Sequence, residues 1–465
     1  MIRSFFKHSL VYISGNLITR GIGVALIPIY TRYISPNDYG IIDLFVVVSS
    51  IVNLTISLEI TQAIARYYPN SKTDQEKVEY TSTAFLFTLF MYILYISVSL
   101  IFSDYFTILL LNDLKYKHIF LLSIFSIATN GMFYFTQNQL KWQMQPKESV
   151  VVSIVNMSVS ACVSIFFLLI VRLKVESIFI GQIVGNSIAS LVGIYFAKDN
   201  YRLVFSIGKL KKMLSFSFPL VFSGIAVFVA TMIDRIAIKG LLGFKDLGIY
   251  GVAYRFASIA GLIMIGFQNS LMPLIYKNYK EKKTPENISK IFNIFNALAL
   301  SLISGSFLFS NEIVMIMTTD VYHKASSLIP LLVMVILFSN IYLFSPGLVI
   351  AKKTKTIAII NIIGAILNTV LNYTMIPIFG VKGAAGATLI SVVVVSLFYS
   401  ILSFRYYKIP YKIKSLLISY GFTITSIYVI KNLLTYVSLK TFAIKTLFII
   451  CISFFLYYLL IKKDG

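Results

Sequence analysis

Six ionisable residues fall inside long apolar stretches of this 465-residue chain: the bases Arg20, Arg235 and Arg255, and the acids Asp43, Glu59 and Asp234. A charge at the centre of a bilayer costs about 2.5–3.5 kcal/mol on insertion scales, so such residues face a polar cavity or a partner. The chain holds 32 lysines and 9 arginines, yet the three bases read at lipid depth are all arginine. A guanidinium keeps its charge there and grips phosphate oxygens two at a time. The chemistry implied is the holding of an anion. Arg20 stands about 15 Å along a helix from the basic end of the first stretch, near the midplane. Arg255 lies about a third of the way into the eighth stretch. Asp234 and Arg235 are adjacent and are open to pairing with neighbouring helices. Asp43 and Glu59 sit close enough to helix ends to be wetted or paired.

Polar stripes accompany these charges. Ser49, Asn53 and Ser57 recur at i, i+4 and share one helix face. Arg255, Ser258, Gly261 and Gln268 align on the eighth stretch, and Asn361, Gly364, Asn368 and Asn372 on the eleventh. The first two stripes read as the lining of a wet interior. The third reads equally as glue, because small and amide residues pack membrane helices together.

The elements that must position these residues are membrane helices. The chain is 58% hydrophobic and 13% charged, with mean hydropathy +0.84. A span needs roughly 20 apolar residues. Fourteen such stretches are predicted, at 10–33, 40–64, 81–103, 118–140, 149–171, 176–197, 213–239, 247–275, 291–311, 325–350, 356–378, 382–404, 412–431 and 441–461. Strands would show ten-residue alternation instead, so the fold class is all-α and polytopic. The two richest basic loops, 198–212 and 276–290, hold five lysines and arginines each and fall on the same face. The positive-inside rule makes that face cytoplasmic, and an even number of spans puts both termini there. The basic, then apolar, N-terminus lacks a small-residue cleavage site and reads as a retained first helix.

The net charge of +23 follows from loop lysines. Nucleic acid is not an expected partner, since no stretch is long enough for a continuous basic groove. Cys162 and Cys451 lie in apolar runs, and His8, His118 and His323 are scattered without ligand spacing. No metal or cofactor is expected. There is no phosphate-cradling glycine loop and no nucleophile–base pair, so an enzyme is not expected either.

An internal repeat organises the chain. Asp38-Tyr-Gly-Ile matches Asp246-Leu-Gly-Ile at an offset of 208, while Asn156 and Gly181 match Asn361 and Gly386 at 205. Gln62 and Gln268 lie on the second helix of each half. Six spans per half make this a parallel repeat about an axis along the membrane normal. The expected organisation is a lobe at 1–205, a second at 206–405, and two extra helices at 406–465. Pro28 and Pro219, at equivalent places in helices one and seven, would permit bending.

The segment IPIYTRYISPNDYGIIDL (27–44) resembles the first loop of Wzx-type oligosaccharide flippases, of the multidrug/oligosaccharidyl-lipid/polysaccharide exporter superfamily. NYTMIPIFGVKGAAGATLIS (372–391) is similar to their turn between helices eleven and twelve. The resemblance covers essentially the whole chain. It implies a V-shaped, two-lobed bundle in the bacterial inner membrane that works by alternating access. The implied cargo is an undecaprenyl-diphosphate-linked repeat unit, moved from the inner to the outer leaflet and met by cationic cavity residues. Arg20 and Arg255 are the foremost positions for that role, with Arg235, Asn53, Ser57, Ser258 and Gln268 as further substrate contacts. A coupling H⁺ or Na⁺ would use Asp234 or Glu59, and a polysaccharide polymerase is a further implied partner. A multidrug/cation antiporter of the same superfamily is the alternative, and would show an acidic cavity. A membrane polymerase or glycosyltransferase would need a large extracytoplasmic loop or soluble domain, and no loop exceeds about 20 residues where a domain needs about 50.

Overall fold

The computed structural model describes residues 2–433 and 439–462, and among these the secondary structure is helical, with no strand. The chain forms two compact units, residues 1–239 and 240–465. The first holds α1 (Ile2–Ala25), α2 (Ile27–Tyr33), α3 (Pro36–Ile56), α4 (Ile60–Tyr67), α5 (Asp74–Ile101), α6 (Ser103–Leu111), α7 (Lys117–Trp142), α8 (Pro146–Leu169), α9 (Val175–Phe196) and most of α10 (Ile207–Leu242). The second holds α11 (Phe244–Ala257), α12 (Gly261–Asn278), α13 (Thr284–Met317), α14 (Ile329–Phe338), α15 (Gly347–Ile350), α16 (Thr354–Phe379), α17 (Val381–Phe404), α18 (Ile413–Leu433) and α19 (Leu439–Leu460). The seventh predicted stretch, as α10, groups with the first unit.

Twelve of the described helices are long and apolar enough to cross a bilayer, or thirteen if the pair Asp320–Ser327 and Ile329–Phe344, bent by 43°, is one span. Fourteen were expected. The shortfall lies in the tenth stretch, which is that bent pair, and in the first, where Asn16 and Arg20 interrupt the apolar run of α1 and the chain breaks ahead of Pro28, which opens α2. A second difference is in stretch 40–64. It divides at residues 57–59, where Leu58 (φ 48°) and Glu59 (φ 52°) are both left-handed. That conformation costs an L-residue about 1–2 kcal/mol, so the surroundings must hold it.

Local chemistry explains the helix starts. Ser35 caps α3 by accepting from Asp38 N at 3.2 Å, while its hydroxyl donates to Asp38 Oδ2 at 2.8 Å. Pro36 follows at the first helical position, where its missing N–H costs nothing. Asp38 and Asp246, the two repeat aspartates, both fall in the first turn of a helix, α3 and α11, where a negative charge meets the positive helix end.

Small residues set the packing. A Cβ on Gly181 or Gly185 of α9 would lie 2.0 Å from Ser164 Oγ or Ser160 Oγ of α8, so glycine is what lets these backbones touch. Asn156 Nδ2 donates to Asn186 Oδ1 across the same pair at 2.7 Å. In the second unit, α16 turns into α17 at Gly380 (φ +60°), and a Cβ on Gly383 would meet the Met375 carbonyl at 2.3 Å. There α13 packs against α18 and α19, with Glu312 and Lys445 paired between α13 and α19 at 3% and 6% exposure. Lys445 therefore joins the arginines as a base inside an apolar helix, against the all-arginine expectation.

Candidate functional site

The break after α3 opens onto a cavity of about 410 Å³ in the first unit. Ser50, Asn53, Leu54, Ser57, Glu59 and Thr61 form one wall, Tyr134 of α7 a second, and Gly224, Phe228 and Thr231 of α10 a third. Three predicted site residues, Asn53, Ser57 and Glu59, are thus brought to one cavity. The i, i+4 stripe explains two of them. Glu59 reaches it because the left-handed break turns the chain there.

Asn53 is the hub. Its Oδ1 accepts from Tyr92 Oη at 2.6 Å, and its Nδ2 donates to Asn130 Oδ1 at 2.9 Å and to Ser49 Oγ at 3.3 Å. Three helices, α3, α5 and α7, are tied through one amide. Tyr92 is 3% exposed, and Gly131 makes its room: a Cβ there would sit 1.9 Å from the phenol oxygen. Leu54 is likewise accommodated by Gly224, where a Cβ would meet Cδ1 at 2.3 Å. Ser57 Oγ donates to the Asn53 carbonyl at 2.6 Å, Ser50 Oγ to Val46 O at 2.8 Å, and Thr231 Oγ1 to Val227 O at 2.9 Å. These hydroxyls are spent on their own helices. The Asn53 amide is likewise engaged, so the Glu59 carboxylate is the charged group that the walls present.

Further along α3 and α10 lies an ionic node. Arg235 Nε donates to Asp43 Oδ2 at 3.1 Å, and Nη1 stands 3.4 Å from Asp234 Oδ1, which also accepts from Arg235 N at 2.8 Å. All three are at most 5% exposed. The structure thus takes the pairing route for Arg235 and Asp234 that the sequence left open, with Asp43 as the partner. Removing one member of such a buried pair costs about 3–5 kcal/mol.

The remaining predicted residues are not among the lining of this cavity. Arg20 is half-buried on α1. In the second unit, Arg255 is half-buried in the last turn of α11, Ser258 donates to its carbonyl at 2.7 Å, and Gln268 is exposed on α12. Sequence reasoning missed Tyr92, Asn130 and Tyr134. An amide or a phenol in an apolar stretch was the available signal.

A family model described as "Polysaccharide biosynthesis protein" matches residues 5–279, and a second, MatE, matches residues 219–374. The chain is 22% identical over 289 residues to "Lsg locus putative protein 1" of Haemophilus influenzae, covering 60% of this chain and 67% of that one. Among solved structures it is similar to the lipid II flippase MurJ in an inward closed conformation, with TM-score 0.76, 16% identity and coverage of 97% and 98%. It is also similar to an inward-facing multidrug resistance MATE family transporter of the MOP superfamily, with TM-score 0.67, 13% identity and coverage of 85% and 97%. The fold is therefore that of flippases and transporters of this superfamily.

Proposed function

The chain belongs to the polysaccharide biosynthesis protein family, and we propose that it carries a lipid-linked oligosaccharide across the bacterial inner membrane. The observation that carries this reading is a cavity holding a carboxylate and an amide among apolar walls, inside a polytopic protein of that family. A recess with polar groups at bilayer depth suits a hydrophilic group that has to cross. A polyprenyl diphosphate headgroup is such a cargo. Its sugar hydroxyls would donate to the acceptor lone pairs that Asn53 Oδ1 and the wall hydroxyls keep, and its diphosphate would be met by Arg20 and Arg255. The polyprenyl tail remains in lipid. An unpaired ion in an apolar medium costs tens of kcal/mol by Born estimates, which a cationic partner offsets. Moving anions outward also runs with the membrane potential, worth about 2.3 kcal/mol per charge per 100 mV. In this reading Arg235 braces α3 against α10, and Glu59 is the foremost position for a coupling proton or Na⁺. Both termini are cytoplasmic.

The test is neutralisation. Arg20→Gln and Arg255→Gln should each abolish glycan export while membrane insertion is preserved. Full export by both variants would remove the assignment. One observation favours a second reading, a multidrug/cation antiporter: the cavity at the α3 break carries a carboxylate, Glu59, and no basic residue among its walls. Drug sensitivity in a deletion strain with intact glycan export would select it.

A further inference from the structure

The first unit carries a second polar construction, whose residues are none of the cavity's lining residues. It gathers the end of α4, the start of α5 and the start of α10. The Arg66 guanidinium lies 4.4 Å from the centroid of the Phe216 ring and 5.7 Å from that of Tyr67. Lys212 Nζ lies 5.1 Å from the same Tyr67 ring, which stacks on Tyr80 at 5.5 Å and 9°. Two cations thus converge on one aromatic ring. The neighbouring cations are already neutralised, Lys209 by Glu79 at 2.6 Å and Lys77 by Asp74 at 2.8 Å. Among the described residues no carboxylate lies within 4 Å of Arg66 or Lys212. Both cations are exposed and rest against the rings by quadrupole attraction, with their charge left to attract an anion from outside.

What lies beside them says which anion. Residues 203–207, which lead into α10, expose apolar side chains outward: Leu203 at 95%, Ile207 at 75% and Phe205 at 49%. This segment is held in place. Arg202 N donates to Ser82 Oγ at 2.9 Å and Ser206 N to Thr83 Oγ1 at 3.0 Å, and both hydroxyl residues are buried on α5. A fixed apolar ridge flanked by Lys198, Arg202, Lys209, Lys211 and Lys212 is built for the boundary between acyl chains and headgroups. We propose that Arg66 and Lys212, bracketing Tyr67, form a binding site for the phosphate of a resident anionic phospholipid, with Leu203, Phe205 and Ile207 seated among its acyl chains. This does not rest on the transport reading. It would anchor the start of α10 to the leaflet at that end of the protein.

Trp142 is the single tryptophan of the chain and packs in the same aromatic cluster as Tyr67 and Phe216, so its emission reports locally. The purified full-length protein is titrated in detergent with short-chain phosphatidylglycerol, phosphatidylcholine and farnesyl diphosphate at low salt. The expected result is saturable change with phosphatidylglycerol and none with phosphatidylcholine. Affinity should fall roughly fivefold in Arg66→Gln or Lys212→Gln and about 25-fold in the double variant. Arg66→Lys should retain most of the binding, and Lys77→Gln, which removes a paired cation, should bind as wild type. Monodispersity and helical content of each variant establish that it is folded. Equal response to phosphatidylcholine, or unchanged affinity in a folded double variant, would overturn the proposal. Tenfold preference for the diphosphate over phosphatidylglycerol would overturn the resident-lipid assignment and make this an entry point for cargo.

Discussion

Two cavities of nearly equal size, one at the α3 break in the first unit and one in the second unit, differ in chemistry. The cavity at the α3 break, about 410 Å³, sets the Glu59 carboxylate and the Asn53 amide among Leu54, Val227, Phe228 and Met232; the second-unit cavity, about 430 Å³, is walled by Phe292, Phe338, Phe344, Leu397, Leu416 and further apolar residues. Serines and tyrosines line the second as well, yet they leave it apolar. Ser345 Oγ bonds Ser400 Oγ at 3.1 Å, Ser396 Oγ bonds Phe338 O at 3.1 Å, Tyr420 Oη bonds Asn296 Oδ1 at 2.8 Å and the Tyr411 hydroxyl bonds Phe344 O. A hydroxyl satisfies itself against a nearby carbonyl and disappears from the wall. A carboxylate cannot donate to a carbonyl, so it either finds a cation or keeps its polarity on display. Each unit illustrates one outcome: Glu312 is sealed against Lys445, while Glu59 lines an open cavity.

The sharpest way to break the comparison is to unseal the second-unit acid. Lys445→Met leaves Glu312 buried without its cation and should destabilise the protein by about 3–5 kcal/mol, with Glu312→Met/Lys445→Met recovering most of it. Denaturation of the purified proteins measures both, and equal stability of the single variant and wild type would show that the pair is not sealed. A smaller effect is expected from Asn53→Leu, which strands the Tyr92 hydroxyl and the Asn130 amide. About 1–3 kcal/mol of stability should be lost for each group left unpaired, and export should fall. An Asn53→Leu protein with wild-type export would detach the cavity from function. The smallest change in stability should come from Glu59→Gln. Without a buried ion-pair partner to lose, it should stay within about 0.5 kcal/mol of wild type. Any loss of export in that variant is then a matter of transport, read by comparing export with thermal midpoint.

Much of this arrangement was readable in the chain. Asn53 and Ser57 could be placed on one face because a helical period is local. Arg235 could be marked as needing a partner because charge at lipid depth is costly. Its partner could not be named: Asp43 lies 192 residues away, and Tyr92 and Asn130 lie 39 and 77 residues from Asn53. Lys445 went unmarked because a lysine near a helix end can snorkel to the interface, and its partner is 133 residues distant. The break at Leu58–Glu59 had no glycine or proline to announce it.

Apolar runs long enough to span a bilayer leave the backbone no option but helix, since every N–H and C=O must be paired within the segment. That much, with the spacing of the stripes and the bias of the basic loops, is written locally along the chain. Which charges are neutralised and which stay open to a ligand is a different kind of quantity. It depends on meetings between helices far apart in sequence, and Arg235 sealed by Asp43 beside Glu59 lining a cavity exists only once α3, α4 and α10 have packed.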